Sequence, residues 1–162
     1  MDLTWVTDRI ALGGGIWNEQ NMAELVHLGV THIINMQIEF DDRPLAQRYP
    51  IAVFHSPTDD DFQPKPPQLF QPAVEFALKA LDRPHSKIYI HCAAGVHRAP
   101  MMTLAVLRVL GWPLHEAIDR IMDLRWVVDF ADVYVESVEE FVKAYGLSDG
   151  VNPRERSNPL SS

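Results

Sequence analysis

Apolar residues recur along this chain with two periods, and the alternation between them lays out the elements. Thr4-Trp5-Val6 and Arg9-Ile10-Ala11-Leu12 are short runs flanking Thr7-Asp8, and β-branched or aromatic residues in such runs favour strands. Gly13-Gly14-Gly15 then breaks the pattern as a tight turn. Met22, Leu25, Val26 and Leu28 return at helical spacing, stopped by Gly29 at the expected C′ position. Thr31 to Met36 reads as a second core strand and Ile51 to Phe54 as a third. Phe70, Ala73, Val74, Ala77, Leu78 and Leu81 mark a helix closed by Pro84, and Lys87 to Ile90 is a further buried strand. Ala99 to Leu110 is apolar nearly all round, which predicts a central buried helix. After Gly111 and Trp112-Pro113, a helix turns Leu114, Ala117, Ile118, Ile121 and Met122 inward. A last helix carries Val135, Val138, Phe141, Val142 and Tyr145, with Asp132 as its expected N-cap and Gly146 beyond its end.

Strand, helix, strand at this spacing is a parallel crossover. The expected fold is therefore α/β, with a central mostly parallel sheet of about four to five strands flanked by helices on both faces. With 162 residues, 47% of them hydrophobic, the chain can bury one substantial core. Residues 1–147 are expected to form a single domain. Residues 148–162, polar and carrying Pro153 and Pro159, are expected to be a disordered tail. One cysteine permits no internal disulfide and suits a reducing cytoplasm. No long apolar run and no leader-like start are apparent, so neither a membrane span nor secretion is expected. The net charge of −8 argues against general nucleic-acid or anionic-membrane binding, so any affinity for phosphate must be local.

That locality lies in His91-Cys92-Ala93-Ala94-Gly95-Val96-His97-Arg98. A buried strand delivers the cysteine to a loop of small residues that opens a helix, a geometry that gathers N–H groups and a positive helix end around one point. Gly95 can adopt positive φ, and Arg98 offers a planar fork matching two oxygens of an oxyanion. A free cysteine ionises near 8.5, and helix N-termini or nearby cations lower this to roughly 3.5–7.5, so Cys92 is expected as a thiolate nucleophile. Upstream, Asp59-Asp60-Asp61 sits on an exposed proline-rich loop. A carboxylic acid held there can protonate the leaving oxygen of a phosphate ester. A merely solvated acidic run is the plainer reading of the same triplet. No set of Cys, His and Asp has metal-ligand spacing, and Gly13 to Asn18 does not match a nucleotide-binding glycine loop.

Cys92, five residues and Arg98 together resemble the signature loop of the cysteine-dependent protein tyrosine phosphatases, specifically the small dual-specificity type, and the likeness extends from about Trp5 to Tyr145. The resemblance implies a phosphomonoester hydrolase that forms a phosphocysteine on Cys92 and uses no cofactor. Arg98 and the loop from Ala93 through Ala94, Gly95 and Val96 to His97 would hold the phosphate. His91 would support the nucleophile, and Asn35 would either brace the signature loop from its strand or simply satisfy its strand-end neighbours. The family's spacing selects Asp60 as the general acid, with Asp59 and Asp61 as alternatives. His97 either adds positive charge when protonated or is exposed without a role. Residues 124–129 fall where the family borders its pocket: Arg125 or Trp126 would touch substrate, or Trp126 would pack. The partner implied is a phosphorylated substrate, foremost a phosphoprotein, with a glucan or an RNA 5′ phosphate as alternatives. One departure stands out: Ala99 occupies the place where most members carry Ser or Thr, although plant glucan phosphatases share the Ala-Pro pair. A phosphate-binding module with weak turnover and a rhodanese-type sulfurtransferase are the rival readings.

Overall fold

A computed structural model describes residues 1–146, so the expected tail and the last residue of the expected domain lie outside the described residues. Five strands, β1 (Leu3–Trp5), β2 (Ile10–Gly13), β3 (His32–Gln37), β4 (Ala52–Thr58) and β5 (Ile88–His91), form one sheet in the order β1-β2-β5-β3-β4. Only the β1–β2 pair is antiparallel. The expected mostly parallel sheet of about four to five strands is thus observed with five.

The helices are α1 (Glu19–His27), α2 (Arg43–Ala46), α3 (Pro67–Leu81), α4 (Arg98–Val109), α5 (Leu114–Leu124) and α6 (Asp132–Ala144). The period of two along the strands sorts them into two layers. Ile10 and Leu12, Ile34, and Ile88 and Ile90 pack with α3 to α6 on one face, whereas Ala11, Ile33 and Tyr89 pack with α1 and α2 on the other. Helix α4 lies against both sheet and helices, which is why eleven of its residues are buried. Burial of a large apolar side chain is worth roughly 1.5–3 kcal/mol, so these two layers are the main source of stability.

Several expectations need correction. β4 runs on to Thr58, through residues read as loop, because a register shift between Asn35 and Gln37 lets Gln37 pair with Thr58. Between β3 and β4, where the periodicity marked no element, residues 43–46 form the short helix α2. Met122 is 46% exposed, because the inward stripe of α5 narrows to Ala117 and Ile121. Asp132 begins α6 as its first helical residue, and Ala131 is the cap, with no side-chain hydrogen bond. Gly29 and Gly146 both take positive φ just past their helices, as their positions imply. Among the described residues no helix is long and apolar enough to cross a membrane.

Strand β5 sits between β2 and β3 although it follows β4 in the chain. In such sheets the order reversal opens a crevice at the carboxyl ends of the strands. The residue that leaves β5 at this point is Cys92.

Candidate active site

The loop between β5 and α4 is held with its carbonyls outward. Gly15 N–H donates to the Ala93 carbonyl at 3.0 Å, and Asp129 N–H donates to that of Val96 at 3.1 Å. Arg125 takes the two between, its Nη2 donating to Ala94 O at 3.0 Å and its Nε to Gly95 O at 2.9 Å. A peptide is planar, with its N–H and C=O opposed, so tying successive carbonyls outward turns the following amides inward. The N–H groups of Ala93, Ala94, Val96, His97 and Arg98 have no partner among the described residues. Those of Gly95 and Ala99 donate to Cys92 Sγ at 3.3 and 3.4 Å. The sulfur, buried in a residue only 3% exposed, is therefore ringed by donors.

Two glycines permit this close approach. Gly95 has φ of 67°, and a Cβ there would lie 2.6 Å from Arg125 Nη2 and 2.7 Å from the Gly13 backbone. A Cβ on Gly13 would meet the Asp2 carbonyl at 1.9 Å, and the Gly13 carbonyl itself accepts from Cys92 N–H at 3.4 Å. The triple-glycine turn is thus the wall against which the loop is moulded.

The two arginines of the site differ in what they have left to offer. A guanidinium has five N–H groups. Those of Arg125 are all taken: besides the two carbonyls, Nη1 donates to Asp2 Oδ1 and Thr4 Oγ1, and Nη2 to Asp2 Oδ2. Arg98 commits three. Its Nη1 donates to Glu39 Oε1 at 2.7 Å and to Thr58 O at 2.9 Å, and its Nη2 to Glu39 Oε2 at 2.8 Å. Nε is buried and unpartnered. What remains is Nε–H and the second Nη2–H, the two parallel donors of one guanidinium edge, a fit for two oxygens of an oxyanion. The Arg98 hydrogen bonds hold the Glu39 carboxyl down at about 2, outweighing its partial burial.

A match to the family model described as dual specificity phosphatase, catalytic domain, covers residues 15–143. The chain belongs to this family. Mouse protein phosphatase Slingshot homolog 1 is 32% identical over 123 residues, 74% of this chain and 11% of that protein. Rat dual specificity protein phosphatase 26 is 33% identical over 115 residues, 67% of this chain and 53% of that protein. The chain thus spans about a tenth of the length of the first and about half that of the second. Among solved structures, PTPMT1 superposes with a TM-score of 0.79 at 23% identity, covering 93% of this chain and 99% of that one, a likeness of fold. A mouse putative dual specificity phosphatase complexed with zinc tungstate gives 0.76 at 16% identity, covering 91% and 90%.

Around this dual-specificity phosphatase loop, the expected residues fall as follows. Of the three aspartates, Asp60 alone reaches the loop: its Oδ2 lies 2.9 Å from Nδ1 of His97, and its Oδ1 accepts from the Tyr134 hydroxyl at 2.9 Å. Asp61 instead pairs with Lys65 at 2.7 Å, which is the main cause of its lowered pKa. Asp59 is exposed and meets Lys65 through its carbonyl. His91 is fully buried, with Nε2 2.6 Å from Asp42 Oδ2, beneath the cysteine that follows it. Asn35 does not brace the signature loop. Its amide donates to Phe40 O and its carbonyl accepts from Gln37 N–H, so it shapes the turn that delivers Glu39. Arg125 is saturated and buried, so it clamps the loop and has nothing free for substrate. Trp126 is 89% exposed, which rules out the packing role.

Glu39, Asp42, Tyr134, Asp129 and the clamping role of Arg125 were not apparent from the sequence. All lie far along the chain from Cys92. The nearest thing to a signal was a carboxylate just beyond the end of β3, within reach of the arginine that opens the helix after the neighbouring strand β5.

Proposed function

We propose that this chain is a phosphomonoester hydrolase of the dual-specificity or tyrosine protein phosphatase kind, acting through a phosphocysteine. The observation that carries the reading is the inverted loop: carbonyls from Ala93 to Val96 tied outward, amides left open, and one free edge of Arg98 beside a sulfur. Cys92 attacks phosphorus as the thiolate. A P–S bond forms while the P–O bond breaks, its electron pair going to the leaving oxygen, which takes a proton from Asp60. The loop amides and Arg98 hold the remaining oxygens as charge develops on them. Water then attacks phosphorus, giving its proton to Asp60, and the electron pair of the P–S bond returns to sulfur. No cofactor enters either step.

The substrate we propose is a phosphorylated protein, in keeping with the names of the related protein phosphatases. A lone cysteine kept as a thiol fits a reducing compartment, and we assign the cytoplasm. Ala99 favours a second reading, a phosphate-reading module with little turnover, because the sulfur receives only backbone donors and no hydroxyl to ease its departure. Release of p-nitrophenol from p-nitrophenyl phosphate separates the two. Turnover by the wild type, lost in Cys92→Ser, supports the hydrolase. Phosphate binding without turnover favours the module. A panel of phosphotyrosine, phosphoserine, glucan and RNA 5′ phosphate substrates then assigns the class.

A further inference from the structure

The imidazole of His97 has a carboxylate at each ring nitrogen. Nδ1 lies 2.9 Å from Asp60 Oδ2, and Nε2 lies 3.3 Å from Asp129 Oδ2. Each of these bonds requires one hydrogen. A neutral imidazole supplies only one, so the three groups together hold a second proton: on the ring, or on one of the carboxyls. With Nε2–H donating to Asp129, that second proton lies between Nδ1 and Oδ2, on the carboxyl proposed above as the acid.

We propose that Asp60, His97 and Asp129 act as one proton-holding chain, so that the general acid of this site is the Asp60–His97 pair supported by Asp129. The inference rests on the phosphatase reading above. In the first step the leaving oxygen takes the proton shared by Nδ1 and Oδ2, leaving Asp60 ionised and His97 neutral with its hydrogen on Nε2. In the second step water returns a proton to the same position, and the count is restored. His97 and Asp129 are positioning residues here, acting through Asp60.

The surroundings suit this division. Tyr134 holds Asp60 Oδ1, and the Phe62 N–H in turn donates to the Tyr134 oxygen at 3.1 Å. Burial and the neighbouring Asp60 push the Tyr134 hydroxyl up to about 12, so it stays a donor throughout. The Phe62 ring lies edge-on to His97, centroids 5.0 Å apart, and stacks on Tyr134 at 5.8 Å. Of the other charged groups nearby, Arg98 follows His97 in the chain and is bound to Glu39, Cys92 lies in the same loop, and Lys65 is paired with Asp61. Asp129 has a side chain 72% exposed, so the chain runs from the cleft to water.

Leaving-group and pH dependence test the proposal. Phenyl phosphate needs a proton on departure, whereas 2,4-dinitrophenyl phosphate does not. His97→Asn should lower kcat/KM, which ends at the transfer to Cys92, about 10- to 100-fold more for phenyl phosphate than for the dinitrophenyl ester. The high-pH limb of the phenyl phosphate kcat/KM profile should move to lower pH, by about one unit in His97→Asn and about half a unit in Asp129→Asn. The sign follows from charge, since removing the Asp129 carboxylate removes what favours the extra proton. Equal losses on both esters in His97→Asn, or an unmoved limb in Asp129→Asn, would overturn the chain. Should His97→Asn not fold, the exposed Asp129 variant decides alone. If Asp60→Asn loses phenyl phosphate turnover while both other variants behave as wild type, only the chain falls. If wild type turns over neither ester, the phosphatase reading itself falls.

Discussion

The Glu39 carboxylate grips the end of the Arg98 guanidinium at 2.7 and 2.8 Å and leaves its side edge open. Glu39→Gln should loosen this orientation and lower kcat/KM for p-nitrophenyl phosphate by about 10- to 100-fold, the scale of a misplaced reacting contact. Unchanged kcat/KM would remove Glu39 from the site. The pair also has a pH signature. A glutamate that titrates at 4.5 when free and at about 2 here contributes stability that is full above 4.5 and lost as pH falls toward 2. Acid unfolding of Glu39→Gln should therefore lack part of the wild-type slope in that window.

Arg125 joins the loop to the start of the chain through Asp2. Arg125→Lys cannot reproduce five donors in a fixed fork, so carbonyls at 94 and 95 lose partners. A loss of roughly 1–3 kcal/mol in stability is expected, tempered because Asp2 is largely exposed, together with a fall in turnover. Thermal denaturation and steady-state kinetics would register both; a stable variant with normal turnover would mean the clamp is dispensable.

Asp60 and Asp61 are adjacent but face different partners, so their amide variants should separate. Asp60→Asn should cost about 10²–10⁴ in kcat on a poor leaving group such as phenyl phosphate. Asp61→Asn, which breaks an exposed pair with Lys65, should stay within about two-fold. A reversal of this order would reassign the acid.

Ala99→Ser would place a hydroxyl one atom from the side-chain position whose backbone N–H already donates to Cys92 Sγ. The second step should accelerate by about ten-fold, the scale of one hydrogen bond to a charged group, and any burst of product should shrink. Rapid-mixing kinetics with an unchanged burst and an unchanged steady state would show that phosphocysteine hydrolysis does not limit turnover.

What the sequence yielded and what it withheld divide along contact range. The β5–loop–α4 unit was legible because strand, cysteine, glycine and arginine are contiguous, and the aspartate loop was legible because prolines and acids cluster there. Asp60 was separable from its neighbours only by family spacing, whereas its contacts with His97 and Tyr134 join residues 37 and 74 positions apart. Periodicity reports which face of an element is buried, not which distant polar group will meet it there. The two readings of Asn35 could not be told apart for that reason, and β4 was cut short because His55-Ser56-Pro57-Thr58 reads as a turn until β3 is available to pair with it.

The His91–Asp42 contact, 2.6 Å long and sealed from solvent on both sides, carries an experimental consequence of its own. Its hydrogen can trade places with bulk deuterium only when the ground under the cysteine opens. It should therefore stand apart in a proton NMR spectrum as a far-downfield, slowly fading line, and the rate at which it fades would clock how often that ground gives way.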